Sequence, residues 1–307
     1  MKSETVELEP IRSALFVPGN RPDRVDKAVA TAADHVIIDL EDAVAVSQKK
    51  EARTLVRDKI IAHQNRGVLV RINGLETDFF KGDLEAILVK ELGGIVLPKT
   101  ENKLQVGEIH RLLTDLENKR GLQAESTAVI LLIESALGVQ NIFEISSTAT
   151  ELKREFLIAL GAADYALDMG IEITKDGTEL IYPRSRIAVA CRAAGMPAPL
   201  DTPFMIDLKD IDALKDDAGR AKQMGFQGKL CIHPNQIEPC HAIFTPSGEE
   251  LDFARRVVDA FEAEEARGVA AIEVDGKFVD YAIVKRSRRI LRMASRIAEV
   301  QTRVTYE

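Results

Sequence analysis

The sequence predicts an α/β fold, a (β/α)8 TIM barrel with a C-terminal appendage of helices and a hairpin. Three observations support this prediction. Short β-branched and aliphatic runs alternate with longer segments of helical periodicity along most of the chain. The short runs are continuously apolar, as the strands of a parallel sheet covered on both faces must be. Polar residues follow the carboxyl ends of these runs, where (β/α)8 enzymes build their active sites.

Seven strands are clear in the sequence, and an eighth is expected near residues 198–204. In chain order the seven are SALFV (13–17), HVIID (35–39), VLVRI (68–72), GIVLP (94–98), AVILLI (128–133), FLIAL (156–160) and KLCIH (229–233). Eight strands close a TIM barrel. An open doubly wound sheet is the alternative, but it would normally begin with a G-x-G-x-x-G turn, whereas the first turn here is VPGNRPDR.

Helices are predicted between the strands from periodic apolar residues bounded by Pro, Gly, Ser and Asn. They cover residues 22–33, 47–65, 80–92, 103–119, 139–146, 183–194 and 207–224. The alternation of strand and helix is the repeat of a parallel sheet with crossover helices.

The pattern changes after about residue 246. A charged helix at 248–267 precedes AAIEVDGKFVDYA, in which Asp275-Gly276 is a strong two-residue hairpin turn. A basic helix containing KRSRRILR follows. We therefore predict a catalytic barrel over residues 1–245 and a helix–hairpin–helix segment over residues 246–307.

Composition and charge exclude several classes of partner and location. The 307 residues carry a net charge of −8, which argues against a nucleic-acid partner. The sequence has no apolar run of the roughly 18 residues that a membrane span requires, so no membrane partner is expected. The segment MKSETVELEP resembles neither a signal nor a transit peptide, and the three cysteines lack disulfide-framework spacing, so a cytoplasmic location is expected.

Polar side chains stand at or just after the ends of most predicted strands. They are Asp39, Glu41 and Asp42 after the second, Arg71 and Asn73 at the third, Lys99 at the fourth, Glu134 at the fifth, Asp164 past the sixth and His233 at the eighth. Because these ends open onto one face of a barrel, we expect the side chains to converge there.

Carboxylates brought together in one pocket require either a bound cation or raised carboxyl pKa values. Glu134 and Asp164 come from neighbouring strands and could hold a hard cation while leaving positions for water and substrate, which suggests Mg²⁺. Arg71, followed by Asn73, is suited to hold a substrate carboxylate or acyl oxygen.

Two other chemistries find less support. Lys99 could form a Schiff base, although a protonated lysine paired with the nearby carboxylates is the simpler interpretation. Cys231, His233, Cys240 and His241 could suggest zinc, but their spacing does not match a structural zinc site.

The chain resembles the citrate lyase β-subunit-like proteins, in the HpcH/HpaI aldolase and citrate lyase superfamily that includes malyl-CoA and citramalyl-CoA lyases. The matching segments are RSALFVPGNRPDRVDKA, VIIDLEDAV, VRINGLET, GIVLPKTE, LLIESALGV, LGAADYALDMG, YPRSRIAVACRAAG, GFQGKLCIHPNQI and VDGKFVDYAIVKRSRRIL. They run in family order over nearly the entire chain.

The resemblance implies a (β/α)8 barrel that binds Mg²⁺ through Glu134 and Asp164. It also implies that Arg71 contacts substrate and that Asp39, Glu41 and Asp42 shape the pocket; we add Lys99 to the substrate-binding set. In related enzymes an aspartate of the C-terminal segment reaches a neighbouring subunit's site, and Asp280 matches it. The resemblance thus implies a second catalytic residue and a homo-oligomer, trimer or hexamer, in which the segment is a candidate lid.

The expected function is Mg²⁺-dependent carbon–carbon cleavage, or formation, of a carboxylated 3-hydroxyacyl-CoA such as malyl-CoA or citramalyl-CoA, with a 2-oxo acid and an acyl-CoA as the other side of the reaction. Three alternatives stay open at this point. They are a thioesterase using the same site, a citrate lyase β subunit acting on a carrier-bound citryl thioester, and an inactive barrel that only binds a CoA ester or another protein.

Overall fold

A computed structural model describes residues 11–265 and 267–306, with side chains described as far as residue 299. The chain divides into a barrel unit, residues 11–242, and a C-terminal unit that begins at Ile243. The predicted domains, 1–245 and 246–307, remain a prediction, and residues 1–10 lie outside the described part.

Eight parallel strands close into a barrel in sequence order, which confirms the predicted fold class. They are β1 (Ser13–Pro18), β2 (His35–Asp39), β3 (Leu69–Arg71), β4 (Gly94–Leu97), β5 (Ala128–Ile133), β6 (Phe156–Leu160), β7 (Leu200–Asp201) and β8 (Gly228–Cys231). Their aliphatic side chains are almost completely buried, because the strands have the barrel interior on one side and helices on the other.

Helices connect these strands, and one more helix follows β8. They are α1 (Pro22–Val29), α2 (Lys49–Ala62), α3 (Phe80–Ile87), α4 (Lys103–Lys119), α5 (Ala136–Glu151), α6 (Ala162–Met169), α7 (Ile181–Ala194), α8 (Ile211–Met224) and α9 (Ile237–Phe244). The predicted bounds of α4 are confirmed; its N-cap, Asn102, forms a capping box with Gln105. Helices α6 and α9 were not predicted.

The seventh strand forms the fewest backbone pairs in the barrel. It has only two residues and pairs with β6 at a single position, Ala159 with Leu200. It pairs with β8 at two positions, Leu200 with Gly228 and Asp201 with Lys229. The main-chain ladder therefore holds β7 less firmly than its neighbours.

A buried ionic cluster, formed by Arg184, Asp201, Asp217 and Lys229, joins β7 and β8 to α7 and α8. Arg184 donates to both aspartates, Nε to Asp201 Oδ1 at 2.9 Å and Nη2 to Asp217 Oδ1 at 2.9 Å. Lys229 Nζ donates to Asp201 and, at 2.7 Å, to Asp217 Oδ2. Burial opposes ionisation of Asp217, but Lys229 and Arg184 outweigh it and lower the pKa of this carboxyl.

The C-terminal unit has a core of its own. Helix α10 (Gly248–Glu265) is followed by an antiparallel hairpin of β9 (Ile272–Val274) and β10 (Lys277–Val279), and then by α11 (Tyr281–Tyr306). Asp275 and Gly276 both have positive φ, 53° and 74°, as a type I′ turn requires. The core residues are Val257, Phe261, Val274, Val279 and Val284.

Among the described residues, no helix is both long enough and apolar enough to cross a bilayer.

Candidate active site

A cavity of 410 Å³ opens at the carboxyl ends of the barrel strands. Five of the predicted site residues line it: Asp39, Asp42, Arg71, Glu134 and Asp164. Much of the remaining cavity wall is apolar. The sequence did not predict these residues, because the apolar pattern of a strand does not distinguish side chains that line a cavity from side chains that pack in the core. These wall residues include Phe16, Val17, Leu132, Met205, Leu230 and Ile232.

Arg71 ends β3 and is held by the acidic segment after β2. Its Nε and Nη2 donate to the two carboxylate oxygens of Asp39 at 2.7 and 2.6 Å, a bidentate pair. Asp39 also accepts from the backbone N–H groups of Glu41 and Ala43. The Arg71 guanidinium lies over the Phe16 ring, with Cζ 5.0 Å from its centroid. Arg71 is therefore oriented before any substrate arrives.

Glu41 is a buried carboxylate of the acidic segment with one unsatisfied oxygen within the described chain. It is 6% exposed and forms ion pairs with Lys99 Nζ at 3.1 Å and Arg71 Nη1 at 3.2 Å. The latter contact lacks hydrogen-bond geometry, and Glu41 Oε2 has no hydrogen-bond partner among the described residues. Burial raises the pKa of Glu41, while Arg71 opposes the rise.

Two buried residues fix the backbone of the acidic segment: Asn73, which was predicted at the barrel mouth, and Lys49, which was not. Lys49, at the start of α2, donates from Nζ to the carbonyls of Leu40 and Glu41 at 2.8 and 2.6 Å. Asn73 donates to the Leu40 carbonyl at 3.0 Å and to Asp83. Nothing in the sequence separates Lys49 from the exposed lysines around it.

Glu134 follows β5 and reaches across to the end of β4. Its Oε1 accepts from the Lys99 backbone N–H at 2.7 Å, and Lys99 adopts a left-handed conformation, φ 53°, to present that N–H. Glu134 is 4% exposed. Burial raises the pKa of Glu134 to about 8, with the negative charges of Glu41 and Asp164 acting in the same direction.

Gly161 makes room for this carboxylate. A Cβ at residue 161 would lie 2.7 Å from Glu134 Oε2 and 2.9 Å from Glu134 Cβ, closer than such atoms can approach. Any side chain at this position would therefore displace Glu134.

Asp164 stands in the first turn of α6, four residues after the end of β6, and lines the cavity wall. Lys99 Nζ lies 3.9 Å from Asp164 Oδ2 and so bridges Asp164 and Glu41. Burial opposes the charge of Lys99, but Glu41 and the neighbouring carboxylates outweigh it and raise the pKa of this lysine. A raised pKa favours the paired ammonium over the Schiff-base alternative, which needs a neutral amine.

The donor set fits a hard divalent cation. Glu134 and Asp164 supply carboxylate oxygens, the ligands that Mg²⁺ prefers. Burial, together with Glu41 and Asp164, raises the pKa of Glu134, so a bound cation would stabilise its ionised form. No group of three or more His, Cys, Asp or Glu residues in the described chain is placed to hold a metal. Two protein ligands leave room for water and substrate, as is usual for Mg²⁺.

The residues weighed as a zinc cluster do not converge. Cys231 and Cys240 Sγ are 3.9 Å apart and buried, whereas His241 Nε2 contacts Ser13 Oγ at 2.8 Å. His233 Nδ1 contacts Asn235 Oδ1 at 2.7 Å in the turn after β8. These contacts separate the two histidines from the thiol pair.

Comparison with known proteins identifies the family. The family model for HpcH/HpaI aldolase/citrate lyase matches residues 12–234. The chain belongs to this family. It is 37% identical to the citrate lyase subunit beta of Leuconostoc mesenteroides subsp. cremoris, over 92% of this chain and 93% of that protein.

Two further members of the family extend the comparison. An L-malyl-CoA/beta-methylmalyl-CoA lyase of Cereibacter sphaeroides is 34% identical over 94% of this chain and 96% of its own. The crystal structure of CitE from Mycobacterium tuberculosis in complex with magnesium, acetoacetate and coenzyme A is 32% identical, with a TM-score of 0.73 over 92% of this chain and 97% of that chain.

Asp280, the catalytic candidate of the C-terminal segment, caps a helix within its own unit. Its Oδ1 accepts from the backbone N–H groups of Ala282 and Ile283 at 2.9 and 3.1 Å, at the start of α11. This is an N-cap arrangement, and it leaves the catalytic role suggested by the family resemblance a prediction.

Proposed function

We propose that the protein is a Mg²⁺-dependent carbon–carbon lyase of a carboxylated 3-hydroxyacyl-CoA, such as malyl-CoA or citramalyl-CoA. In the cleavage direction the bond between C2 and C3 of the acyl chain breaks, the C3 hydroxyl becomes the carbonyl of a 2-oxo acid, and C2 takes up a proton to give the acyl-CoA. The observation that carries the proposal is one cavity that joins Glu134 and Asp164 to the preoriented Arg71.

Glu134 and Asp164 would hold the cation. A bound Mg²⁺ supplies Lewis-acid polarisation of substrate oxygens. A related structure contains magnesium together with acetoacetate and coenzyme A, which supports both the metal and the thioester class. The Lys99 N–H fixes one Glu134 oxygen, so the other is free to face a ligand.

Arg71 would stabilise the negative charge that develops on the thioester oxygen as the bond breaks. Asp39 occupies Nε and Nη2, so Nη1 is the nitrogen that a substrate oxygen would approach. Such preoriented stabilisation of a developing charge is worth about 3 kcal/mol for a single donor. Glu41 competes for the same nitrogen at 3.2 Å and would yield to the substrate.

Asp39, Glu41, Asp42 and Lys99 complete the proposed substrate-binding set. Lys99, with a half-exposed side chain between Glu41 and Asp164, is the cation best placed to meet a substrate carboxylate at the cavity mouth. The carboxylates would hold Arg71 and Lys99 in place and exclude a second anion from the pocket.

Asp280 would exchange the proton at C2 of the acyl-CoA, from the C-terminal segment of a neighbouring subunit. Asp280→Asn keeps an oxygen that can cap α11 but removes the acid–base group, whereas Asp280→Ala removes both. We expect both variants to lose proton exchange into acetyl-CoA while keeping Mg²⁺ affinity. Full exchange activity in Asp280→Asn would exclude this role.

A homo-oligomer, trimer or hexamer, is part of the proposal. Exposed apolar side chains on adjacent helices α5 and α7 support it; Leu137, Phe143, Tyr182 and Val189 are each about half exposed or more. Gln140 Nε2 contacts Tyr182 Oη at 3.1 Å, which places the two helices side by side. Light scattering after size exclusion gives the subunit number directly.

A cytoplasmic location also belongs to the proposal. The described chain contains three buried free cysteines and no disulfide, which suits a reducing compartment. Cell fractionation tests it.

The second candidate is the β subunit of a citrate lyase, acting on a citryl thioester carried by a partner protein. The 37% identity to a protein of that name favours it. Co-purification with a carrier protein, and activity only when that carrier is present, would distinguish it from a stand-alone lyase.

The experiment that tests the proposal follows two products in parallel. Purified protein with Mg²⁺ is given malyl-, methylmalyl- and citramalyl-CoA, and 2-oxo acid and free thiol are measured. Release of 2-oxo acid without thiol is the expected result. Thiol without 2-oxo acid would mean a thioesterase, and turnover that survives in Glu134→Ala would disconnect the activity from the metal site.

A further inference from the structure

Helix α6 receives its N-terminal cap from a different strand. The cap position, Gly161, has no side chain to accept a hydrogen bond, and the first-turn N–H groups of a helix have no partner within the helix. Thr202, just past the end of β7, fills this role: its Oγ1 accepts from the Ala162 N–H at 2.9 Å. Both residues are buried, Thr202 at 2% exposed and Ala162 at 0%.

The capped turn carries Asp164. Ala162 and Asp164 are the first and third residues of α6, so the hydrogen bond fixes the backbone only two residues from this carboxylate. The same turn follows Gly161, whose missing Cβ admits Glu134. The Thr202 hydroxyl therefore fixes the short segment that carries Asp164 and makes room for Glu134.

Thr202 is itself fixed from the opposite side of the sheet. The residue before it, Asp201, is held by Arg184 and Lys229 of the buried ionic cluster. Because β7 pairs with β6 at one position only, the contact from Thr202 to Ala162 adds a second cross-link at the end of this junction where the cavity opens.

We infer that Thr202 is a positioning residue for cation binding: it holds the first turn of α6 so that the Asp164 carboxylate faces the cavity beside Glu134. The inference rests on the proposed function, in which Glu134 and Asp164 hold Mg²⁺. Thr202 is not assigned a contact with the cation or with the substrate.

Thr202→Val tests the inference, because it keeps the shape of the side chain and removes the acceptor. We expect Mg²⁺ affinity, measured by isothermal titration with the metal alone, to fall about tenfold, the loss typical when the support of a metal ligand is removed. Thr202→Ser restores the acceptor and is expected to bind Mg²⁺ within about twofold of the parent protein.

Asp210→Ala is the matched control. Asp210 caps α8 through the Ala213 N–H at 3.0 Å, in the same barrel, and does not line the cavity. It should lose some thermal stability, as a helix that loses its N-cap does, and keep its Mg²⁺ affinity. Equal losses of Mg²⁺ affinity in Thr202→Val and Asp210→Ala would overturn the inference, since a general loss of stability would then explain both.

Hydrogen exchange in metal-free protein gives a readout that requires no cation. The Ala162 amide should exchange faster in Thr202→Val than in Thr202→Ser, because only the valine variant lacks the acceptor. In steady-state assays the activity lost in Thr202→Val should return at saturating Mg²⁺ with an unchanged KM for the thioester. Unchanged Mg²⁺ affinity with a raised thioester KM would overturn the inference and make Thr202 a substrate contact.

Failure of the proposed function has a different signature. If the parent protein itself binds no Mg²⁺ while the Ala162 amide still responds to Thr202→Val, the cation site is wrong and the inference falls with it. If the parent binds Mg²⁺ and Thr202→Val binds it equally well, the role of Thr202 alone is wrong.

Discussion

Two clusters of buried charge in the same barrel are built on opposite principles. In the ionic cluster behind β7 and β8, two aspartates meet the cations Arg184 and Lys229, and each aspartate accepts from both. Four carboxylates line the cavity and Glu41 lies beside them, whereas the cations paired with this group are Arg71 and Lys99. The first set is matched in charge, and the second has an excess of negative charge.

The difference appears in the pKa values. In the matched cluster the pKa of Asp217 lies below its ordinary value, because the cations outweigh burial. At the cavity the pKa of Glu134 is raised to about 8, because burial and neighbouring carboxylates act together. A balanced buried set holds a fold together, whereas an unbalanced one is ready to receive a cation.

The largest effect on folding should come from breaking the matched cluster. Lys229→Met leaves Asp201 and Asp217 to share Arg184, and removal of one partner from a buried ion pair costs about 3–5 kcal/mol. Urea denaturation measures the loss in the free energy of unfolding. Lys27→Met, at an exposed position, is the control, and a loss below about 1 kcal/mol in Lys229→Met would contradict the view that this cluster is structural.

The unbalanced cluster should respond to mutation in the opposite way. Glu134→Gln keeps a neutral side chain, as the protonated Glu134 of the metal-free protein is, so thermal stability without Mg²⁺ should stay close to that of the parent, while Mg²⁺ affinity and turnover fall by about a hundredfold or more. Differential scanning fluorimetry with and without Mg²⁺ separates the two effects. A metal-free variant that melts well below the parent protein would show that the Glu134 carboxyl group itself supports the fold.

The pH dependence of stability should also separate the two clusters. Glu134 keeps its proton in the folded state up to a pH of about 8, whereas an unfolded glutamate loses it near 4.5. Unfolding therefore releases a proton in this window, and the free energy of unfolding should fall as pH rises through it, by at most about 1.4 kcal/mol per pH unit.

Urea titrations of metal-free protein between pH about 5 and about 8.5 measure this fall. Mg²⁺ should reduce it, since the cation stabilises the ionised carboxylate, and Glu134→Gln should remove its share. The same slope in Glu134→Gln as in the parent protein would assign the pH dependence to another group.

The smallest effect is expected for charges that remain in water. Arg111 and Asp115 form an exposed i, i+4 pair at 3.2 Å on α4. Arg111→Ala should change the free energy of unfolding by about 0.5 kcal/mol or less, because solvent and salt screen such pairs. A loss as large as that of Lys229→Met would show that burial does not determine how much an ion pair contributes to the stability of this barrel.

The sequence was sufficient for the parts of the molecule that repeat. The bounds of β2, β5, β6 and α4 match the predictions, because apolar runs and capping signals are local. The convergence of Asp39, Arg71, Glu134 and Asp164 on one cavity follows from the rule that parallel strands end on one face.

The features that the sequence could not predict depend on contacts between residues that are far apart along the chain. Strand β7 has two residues and no periodicity, so its place in the barrel is set by its neighbours and by the Asp201 ion pairs. Lys49 and Lys229 look like surface lysines until the acceptors around them are known. The hydrogen bond between Thr202 and Ala162 joins residues forty positions apart.

The site requires a glycine at residue 161, although Gly161 has no functional group of its own. A Cβ at residue 161 would overlap the Glu134 side chain, so even the Gly161→Ala substitution would move a proposed cation ligand. In a saturation library selected for turnover, Gly161 should therefore tolerate as few substitutions as Glu134 itself. A directed-evolution campaign that seeks a wider pocket should enlarge it through Met205 or Ile232, which also line the cavity, and leave residue 161 unvaried.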